Sequence, residues 1–353
     1  MSGSVEIEAN GHTVTITNPD KIYFSKRGDT KLDLVRYYQA VADPIMNTIK
    51  DRPVLLERYP DGASGKSWFQ KRVPASVPDW LRTTVVSTPN GTTSDALVAA
   101  DLAHILWAVN LGCLGFHVWP THAGAEAAGT APPVFDADGN ELPPTGITDE
   151  LRIDLDPSPG IGFDDLRAAA LATRDLCEEL GIDVRVKTSG SRGLHLYALL
   201  EPRWDGYQVR AAAVALAREL ERRHPDRITA QWWKEQRGSR VFVDFNQNAP
   251  HKTVFGAWCV RPKVGAQVST PIAWSDLDTV VPDDLTIATV PDRVARHGDP
   301  WADRTPQSLA PLLEMSERDM ADGLMDAPWP PVYPKMPNEP PRVQPSKARR
   351  NSE

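Results

Sequence analysis

The hydrophobic pattern between Leu151 and Phe245 switches repeatedly between strand-like and helical periods, and the order of those switches leaves few folds open. LRIDLD (Leu151–Asp156) alternates apolar and polar residues, as a half-buried strand does. DDLRAAALATRDLCEEL opens with Asp164 and Asp165 as cap candidates and stops at Gly181, so it reads as a helix. IDVRVK (Ile182–Lys187) and LHLYALL (Leu194–Leu200) alternate again on either side of a glycine-rich turn. A second helix is expected over Gln208–Arg223, and RVFVDF (Arg240–Phe245) is a β-branched and aromatic run of the strand type. The resulting β-α-β-β-α-β order is the split βαβ arrangement of ferredoxin-like and RNA-recognition (RRM-like) folds, an α/β (α+β) class. In that arrangement the first and last strands are neighbours, both helices cover one face, and the other face is open.

The remaining segments are arranged around this core. DLVRYYQAVADPIMNTI carries Leu34, Tyr37, Tyr38, Val41 and Ile45 at helical spacing, within a helix expected over Leu32–Ile49. VLLERYP and KSWFQKRV read as strands, and ALVAADLAHILWAVNLG as a helix. Thr121–Thr148 is rich in Gly, Ala and Pro and reads as a long loop with a hairpin at DADGN. No flexible linker interrupts the chain, which predicts one compact unit over 1–326, with an N-terminal α/β part over 1–120 and the core over 149–275. Residues 327–353 begin with eight prolines between Ala327 and Ser346 and continue into the basic run KARR. Such a stretch forms neither helix nor strand interior, so an extended strap or a loose tail is expected.

Composition narrows the function classes. With 41% hydrophobic and 24% charged residues over 353 positions, wholesale disorder is excluded. The start has no basic region leading into an apolar stretch, and nowhere do about 18 apolar residues run together. Cys113, Cys177 and Cys259 lie far apart with no CxxC, which excludes a disulfide framework and a zinc ribbon. A cytoplasmic protein without a membrane partner is expected. The net charge is −8, yet Lys and Arg outnumber Asp and Glu by four over Asp20–Arg82 and again by four over Gln231–Lys263. A basic face on an acidic body suits a polyanionic ligand, with scattered solvated charge as the alternative.

Three constellations carry chemistry. Asp154 and Asp156, two apart on a strand, project to one side, and a bound divalent cation is one reason for two such charges to stay together. Asp244 lies amid apolar residues on the strand expected beside the first, where it needs a metal, a hydrogen bond, or an ion pair with Arg240 or Arg152. Three carboxylates on an open sheet suit a two-metal phosphoryl-transfer site. The second constellation is KTSGSRGLH (Lys187–His195), whose glycines permit a sharp turn and whose amides, Ser189 and Arg192 can cradle phosphate; a plain hairpin turn is the alternative. His195, His117 and Arg261 add to a lining fit for a triphosphate. Finally, Lys66, Trp68, Phe69, Lys71 and Arg72 interleave aromatics with cations, as do Trp232, Trp233, Lys234 and Arg237, a pattern that serves base stacking unless the rings are core.

In order, DLD, SGSRGLH, VFVDFNQN and CVRPKVGA resemble the primase-polymerase domain of bacterial DNA ligase D, within the archaeo-eukaryotic primase superfamily. TNPDKIYF, TKLDLVRYY, RPVLLERYPDG, WFQKRVP, ILWAVNLG and DPWAD extend the resemblance over nearly the whole chain. The tail WPPVYPKMPNEPPRVQPS is similar to that of the stand-alone actinobacterial members, the mycobacterial Prim-PolC type associated with DNA ligase C.

The resemblance implies a primase-polymerase that transfers nucleotides, preferentially ribonucleotides, to 3′-hydroxyl ends at short gaps or breaks. It implies two Mn²⁺ or Mg²⁺ ions on Asp154, Asp156 and Asp244, and NTP or dNTP substrates held by His117, Ser189, Arg192, His195, Gln247 and Arg261. Asn18, Lys21 and Lys31 fall on a pocket for a downstream 5′-phosphate, Trp68 and Phe69 on a template-stacking pair, and Arg237 near the template strand. The implied partners are gapped or broken duplex DNA, an ATP-dependent DNA ligase of the C or D type, and Ku. No Asp-Gly pair is preceded by the lysine of the ligase motif KxDG, so sealing is expected from a partner protein. Arg192 stands where the family usually has lysine, Trp68 where it has phenylalanine, and Gly115-Phe116 where an acidic residue and leucine precede the histidine. A non-catalytic nucleic-acid-binding module and a two-metal nuclease are the competing classes.

Overall fold

The computed structural model describes residues 3–89, 91–124, 133–142 and 145–342. The N-terminal part opens with two hairpins, β1 (Ser4–Ala9) with β2 (His12–Thr17) and β3 (Ile22–Phe24) with β4 (Asp29–Thr30). Helices α1 (Lys31–Ala40) and α2 (Ala42–Ile49) come after them. The single helix expected over Leu32–Ile49 is therefore broken at Val41, because Pro44 has no N–H for the carbonyl of residue 40 and its ring crowds that turn. Thr30 caps α1 in a reciprocal box with Asp33.

Five strands of a six-stranded sheet come next, β5 (Pro53–Arg58), β6 (Trp68–Gln70), β7 (Thr83–Ser87), β8 (Thr93–Val98) and β9 (Cys113–Val118), with α3 (Leu102–Asn110) packed on it. ALV in the segment expected to be wholly helical is the end of β8. The helix starts only after Asp101, whose carboxylate accepts the His104 amide at 3.3 Å.

The second sheet is the core read from the sequence. It comprises β10 (Ile147–Pro157), α4 (Phe163–Glu179), β11 (Arg185–Thr188), β12 (Leu194–Asp205), α5 (Gly206–Arg223), the short β13 (Ile228–Thr229), α6 (Lys234–Arg237) and β14 (Val241–Asp244). Strand β15 (Val254–Phe255) closes the first sheet against β9, and β16 (Pro271–Ile272) edges the second. The strand order β13-β14-β10-β12-β11-β16 places the first and last core strands side by side and antiparallel. Helices α7 (Val290–His297) and α8 (Ala310–Ala321) complete the chain before the proline-rich segment. The Asp136 carboxylate accepts amide protons of Asp138 and Asn140, closing the hairpin expected at DADGN.

Alternation along β10 decides which side chains go where. Leu151, Ile153 and Leu155 are fully buried in the apolar core, while Glu150, Arg152, Asp154 and Asp156 face the other way. That second face is not open along its length, as the sequence suggested. Arg152 donates to the Val118 and Trp119 carbonyls of the first sheet at 3.0 and 3.1 Å and pairs with Glu150 at 2.8 Å. Arg52 reaches Glu150 from the first sheet at 3.5 Å and Asp149 at 2.5 Å. The N-terminal sheet thus covers one end of this face and leaves only the Asp154–Asp156 end accessible.

The proline-rich segment is a strap as far as Arg342; its last residues lie outside the described ones. Trp329, Tyr333 and Met336 pack with Ala249 in a small cluster of their own. All three cysteines are free and buried. Because Arg152 is enclosed with its acidic partner, Arg152→Met should destabilise the fold by about 3 kcal/mol, read as a lower urea midpoint. An unchanged midpoint would mean that this ion network does not brace the two sheets.

Candidate active site

Strand register assembles the site. Asp154 stands opposite His195 on β12 and opposite Asp244 on β14, and Asp156 projects to the same side two residues on. Oxygens of Asp154, Asp156 and Asp244 lie within 4.8 Å of one another. The turn after β14 orients the Asp244 carboxylate: the Asn246 amide donates to Oδ1 at 3.0 Å and Gln247 Nε2 to Oδ2 at 2.8 Å. The ion pairs that competed for Asp244 in the sequence do not form, since Arg240 pairs with Glu221 and Arg152 with Glu150.

This crowding has an electrostatic signature. Burial, then Asp156 and Asp244, pushes the Asp154 carboxyl well above the usual carboxylate range. Burial raises Asp156 too, against Arg237, Arg192 and Arg261, and burial with the Asp156 charge raises Asp244. Asp154 Oδ1 is buried without a hydrogen-bond partner; His195 Nε2 is 3.3 Å away but not aligned to donate. A buried carboxylate oxygen lacking a donor, beside two more carboxylates, fits a hard divalent cation with oxygen ligands.

A cleft of about 650 Å³ gathers Asp154, Asp156, His117, Ser189, Arg192, His195, Arg237, Gln247 and Arg261. Nine positions scattered over the chain thus share one cavity. Within the loop after β11, Ser189 Oγ accepts the amides of Ser191 and Gly193 at 3.2 and 3.0 Å. Two of the amides expected to cradle phosphate are therefore turned inward, and the cations line the wall. Gly190 has φ 68°, and a Cβ there would come within 2.8 Å of Arg261 Cγ, so only glycine lets Arg261 lie against the loop. Arg261 donates to the Ser189 carbonyl at 2.6 Å and stacks on Phe255 at 3.7 Å. Arg237 donates to the Gln231 and Trp232 carbonyls and is drawn electrostatically to Asp244 and Asp156.

His117 is held by Glu57 at 3.1 Å and by the ring edges of Phe69 and Phe255. Glu57 lies directly opposite Gly115, where a Cβ would come within 2.8 Å of its Oε2. Glycine at 115 thus makes room for the Glu57 carboxylate, supplied from the neighbouring strand, beside His117.

Two functional candidates escaped sequence reasoning, Glu57 and Lys187. Lys187 is fully buried opposite His195, with Nζ 2.9 Å from His195 Nδ1, and it donates to Ser269 Oγ at 2.6 Å. Burial, then Arg261, holds the Lys187 ammonium well below its usual range, and burial with the Lys187 charge does the same to His195. Strand alternation already placed Lys187 and His195 on one face.

Other expected residues lie outside the cleft. The Lys31 amide donates to the Lys21 carbonyl and the Lys21 amide to that of Asn18, so these three form one turn at the start of α1. Lys21 pairs with Asp61 at 2.7 Å, and Lys31 Nζ donates to the Asn110 carbonyl at 3.0 Å. Burial, then Lys21, lowers the Lys31 ammonium to about 8. Trp68 and Phe69 are 47% and 59% exposed, so neither is core; Arg58 covers Trp68, and Phe69 faces His117. Trp232 packs on Phe242 and Phe245.

The family model described as LigD, primase-polymerase domain, matches residues 30–301. The chain belongs to this family. It is 32% identical to the multifunctional non-homologous end joining protein LigD of Mycobacterium bovis over 82% of its length and 37% of that protein. It is 30% identical to the bifunctional LigD of Bacillus subtilis over 82% of its length and 44% of that protein. The chain therefore spans well under half of these curated relatives. The polymerase domain of Mycobacterium tuberculosis ligase D in complex with DNA superposes with a TM-score of 0.73 at 31% identity, covering 83% of this chain and 99% of that one. The family is one of nucleotidyltransferases acting in DNA repair. Among the described residues, no helix is long and apolar enough to cross a membrane.

An acidic group whose folded pKa is raised costs stability as pH climbs from its unfolded value through its folded one. Without metal, Asp154→Asn should therefore gain stability relative to wild type as pH rises above about 4, and should be the more stable of the two at pH 7. Manganese should raise the melting temperature of wild type and leave Asp154→Asn unmoved. Equal manganese shifts in both proteins would remove Asp154 from the metal set.

Proposed function

We propose that this chain is a DNA-dependent primase-polymerase, folded as one unit over 1–326, that adds nucleotides, preferentially ribonucleotides, to 3′-hydroxyl ends at short gaps or breaks. The observation that carries this reading is that Asp154 and Asp156, clustered with Asp244, share one cleft with a cationic wall. A nuclease uses the carboxylates but has no need of a triphosphate wall, and a binding module needs neither. Asp154, Asp156 and Asp244 would hold two divalent ions, manganese or magnesium, which when bound supply Lewis-acid activation of the hydroxyl and charge neutralisation on phosphate.

This chain's own side chains do the rest. Arg192 and Arg261 neutralise the triphosphate, Ser189 shapes the loop beneath it, and His195, braced from behind by Lys187, directs Nε2 into the cleft. Gln247 orients Asp244 on one side and faces the nucleotide on the other. Glu57 and Phe255 fix the His117 ring against the nucleotide. Phe69 and Trp68 offer stacking surfaces for template bases, with Arg237 near the template strand. Asn18, Lys21 and Lys31 take the 5′-phosphate across the gap, with the two ammonium groups supplying the charge, because the first amides of α1 are already bonded to Lys21, Pro19 and Thr30. Sealing falls to an ATP-dependent ligase of the C or D type, with Ku as a further partner at breaks, in the cytoplasm.

The test is primer extension with manganese and nucleotide. Wild type should extend, and Asp244→Ala should lose nearly all extension while binding primer-template normally. Arg261→Ala should raise the nucleotide KM without changing DNA affinity. Unimpaired extension by Asp244→Ala would end the polymerase reading at this site.

The gap pocket is checked separately. Wild type should prefer a gapped duplex with a 5′-phosphate, and Lys21→Ala/Lys31→Ala should lose that preference while still extending an open template. Losing one phosphate contact lowers the salt slope by about one unit. Because the Lys31 pKa is lowered to about 8, its charge disappears as pH rises past that value, and the preference should fade between pH 7 and 9. A wild type indifferent to the phosphate would refute the pocket.

A further inference from the structure

The strap after α8 lies beyond the family match, which ends at residue 301, yet it is bonded to the turn that carries Asp244 and Gln247. That turn needs support. Strand β14 is four residues long, and the 3₁₀ turn after it, Phe245–Asn248, is what orients the Asp244 carboxylate through the Asn246 amide and the Gln247 side chain. The side chain of Asn246 is buried, and both its oxygen and its nitrogen are bonded. Arg210 Nε donates to Asn246 Oδ1 at 2.8 Å, and Asn246 Nδ2 donates to the Pro328 carbonyl of the strap at 2.9 Å.

Arg210 joins the two. This buried guanidinium projects from α5, donates to Asp326 at 3.0 Å and to the Ala327 carbonyl at 2.9 Å, and lies 3.8 Å from the centre of the Trp329 ring. The Trp329 indole N–H donates to the same Asp326 at 2.7 Å. At the far end of the turn, the Tyr333 hydroxyl donates to the Pro250 carbonyl. The strap therefore grips the turn at both ends, through Asn246 and Pro250.

We propose that Asp326–Arg342 is a clamp that sets the aim of the Asp244 carboxylate toward Asp154 and Asp156, with Asn246, Arg210 and Tyr333 as positioning residues for divalent-ion binding. This rests on the reading of Asp244 as a metal ligand. Groups that orient a ligand from behind commonly change metal affinity 10- to 100-fold when removed. Among the described residues none of the strap lines the cleft, so its loss should act on the metal and leave DNA binding alone.

The experiment uses the full chain and manganese as the probe, with affinity read by calorimetry at 10 °C, and with kcat, nucleotide KM and primer-template affinity measured alongside. Asn246→Ala should weaken manganese binding about tenfold and lower kcat, with DNA affinity unchanged. Tyr333→Phe removes one hydroxyl from a packed ring, folds if the wild type does, and should weaken manganese binding by a smaller factor in the same direction. Val332→Ala, on the strap but 67% exposed, should match wild type. Wild-type manganese affinity in both positioning variants overturns the clamp, including the case in which only their melting temperatures fall. If Asp244→Asn itself binds manganese and extends normally, the metal reading fails first; if Asp244→Asn is inactive and Asn246→Ala is not, the clamp alone fails.

Discussion

Three carboxylates held within 4.8 Å of one another at one cleft repel strongly, and much of the molecule is arranged around that repulsion. Among the described residues no lysine or arginine forms a direct ion pair with them. Arg237, Arg261 and Lys187 stand around the acidic group and engage carbonyls, a hydroxyl and His195, and Arg192 lines the same cleft. The triad therefore stays available for a cation, and the positive wall stays available for an anionic substrate. Either set alone would be poorly tolerated at this depth; together they form a site whose two halves await opposite charges.

Holding such a site rigid falls to the parts of the molecule that carry no chemistry. The shared ion network of Arg52, Asp149, Glu150 and Arg152 locks one end of the sheet face to the N-terminal sheet, so the cleft opens only at the other end. Glu57 and Phe255 reach the histidine of the cleft from the same N-terminal sheet. The core sheet carries the three aspartates, and the sheet packed on it brings His117 and Phe255 to the same cleft.

The strand order of the core and the convergence of Asp154, Asp156 and Asp244 were legible because alternation sets which side chains share a face and the β-α-β-β-α-β order sets which strands adjoin. The break at Val41 was missed although Pro44 announces it, because the apolar spacing on either side is in phase and masks the missing donor. The strand nature of the ALV run was hidden by the helical composition of the residues after it. Glu57 and Lys187 were missed for different reasons. Glu57 acts across a strand pairing that no local pattern encodes, whereas Lys187 sat within a recognised motif and its inward direction was there to be read. The inward-turned amides of Ser191 and Gly193 depend on the rotamer of Ser189, which spacing does not specify.

The three buried thiols have a practical consequence. Burial pushes Cys177 and Cys259 up to about 12 and Cys113 well above its ordinary value, so in the native state there is almost no thiolate for an alkylating reagent to meet. Labelling must wait for the chain to open. Cys113 sits in the N-terminal sheet, Cys177 in a helix of the core, and Cys259 in the segment running from one sheet to the other. The chain thus contains a native set of reporters, one in each half and one at the junction, and their order of modification traces which part of the molecule comes apart first.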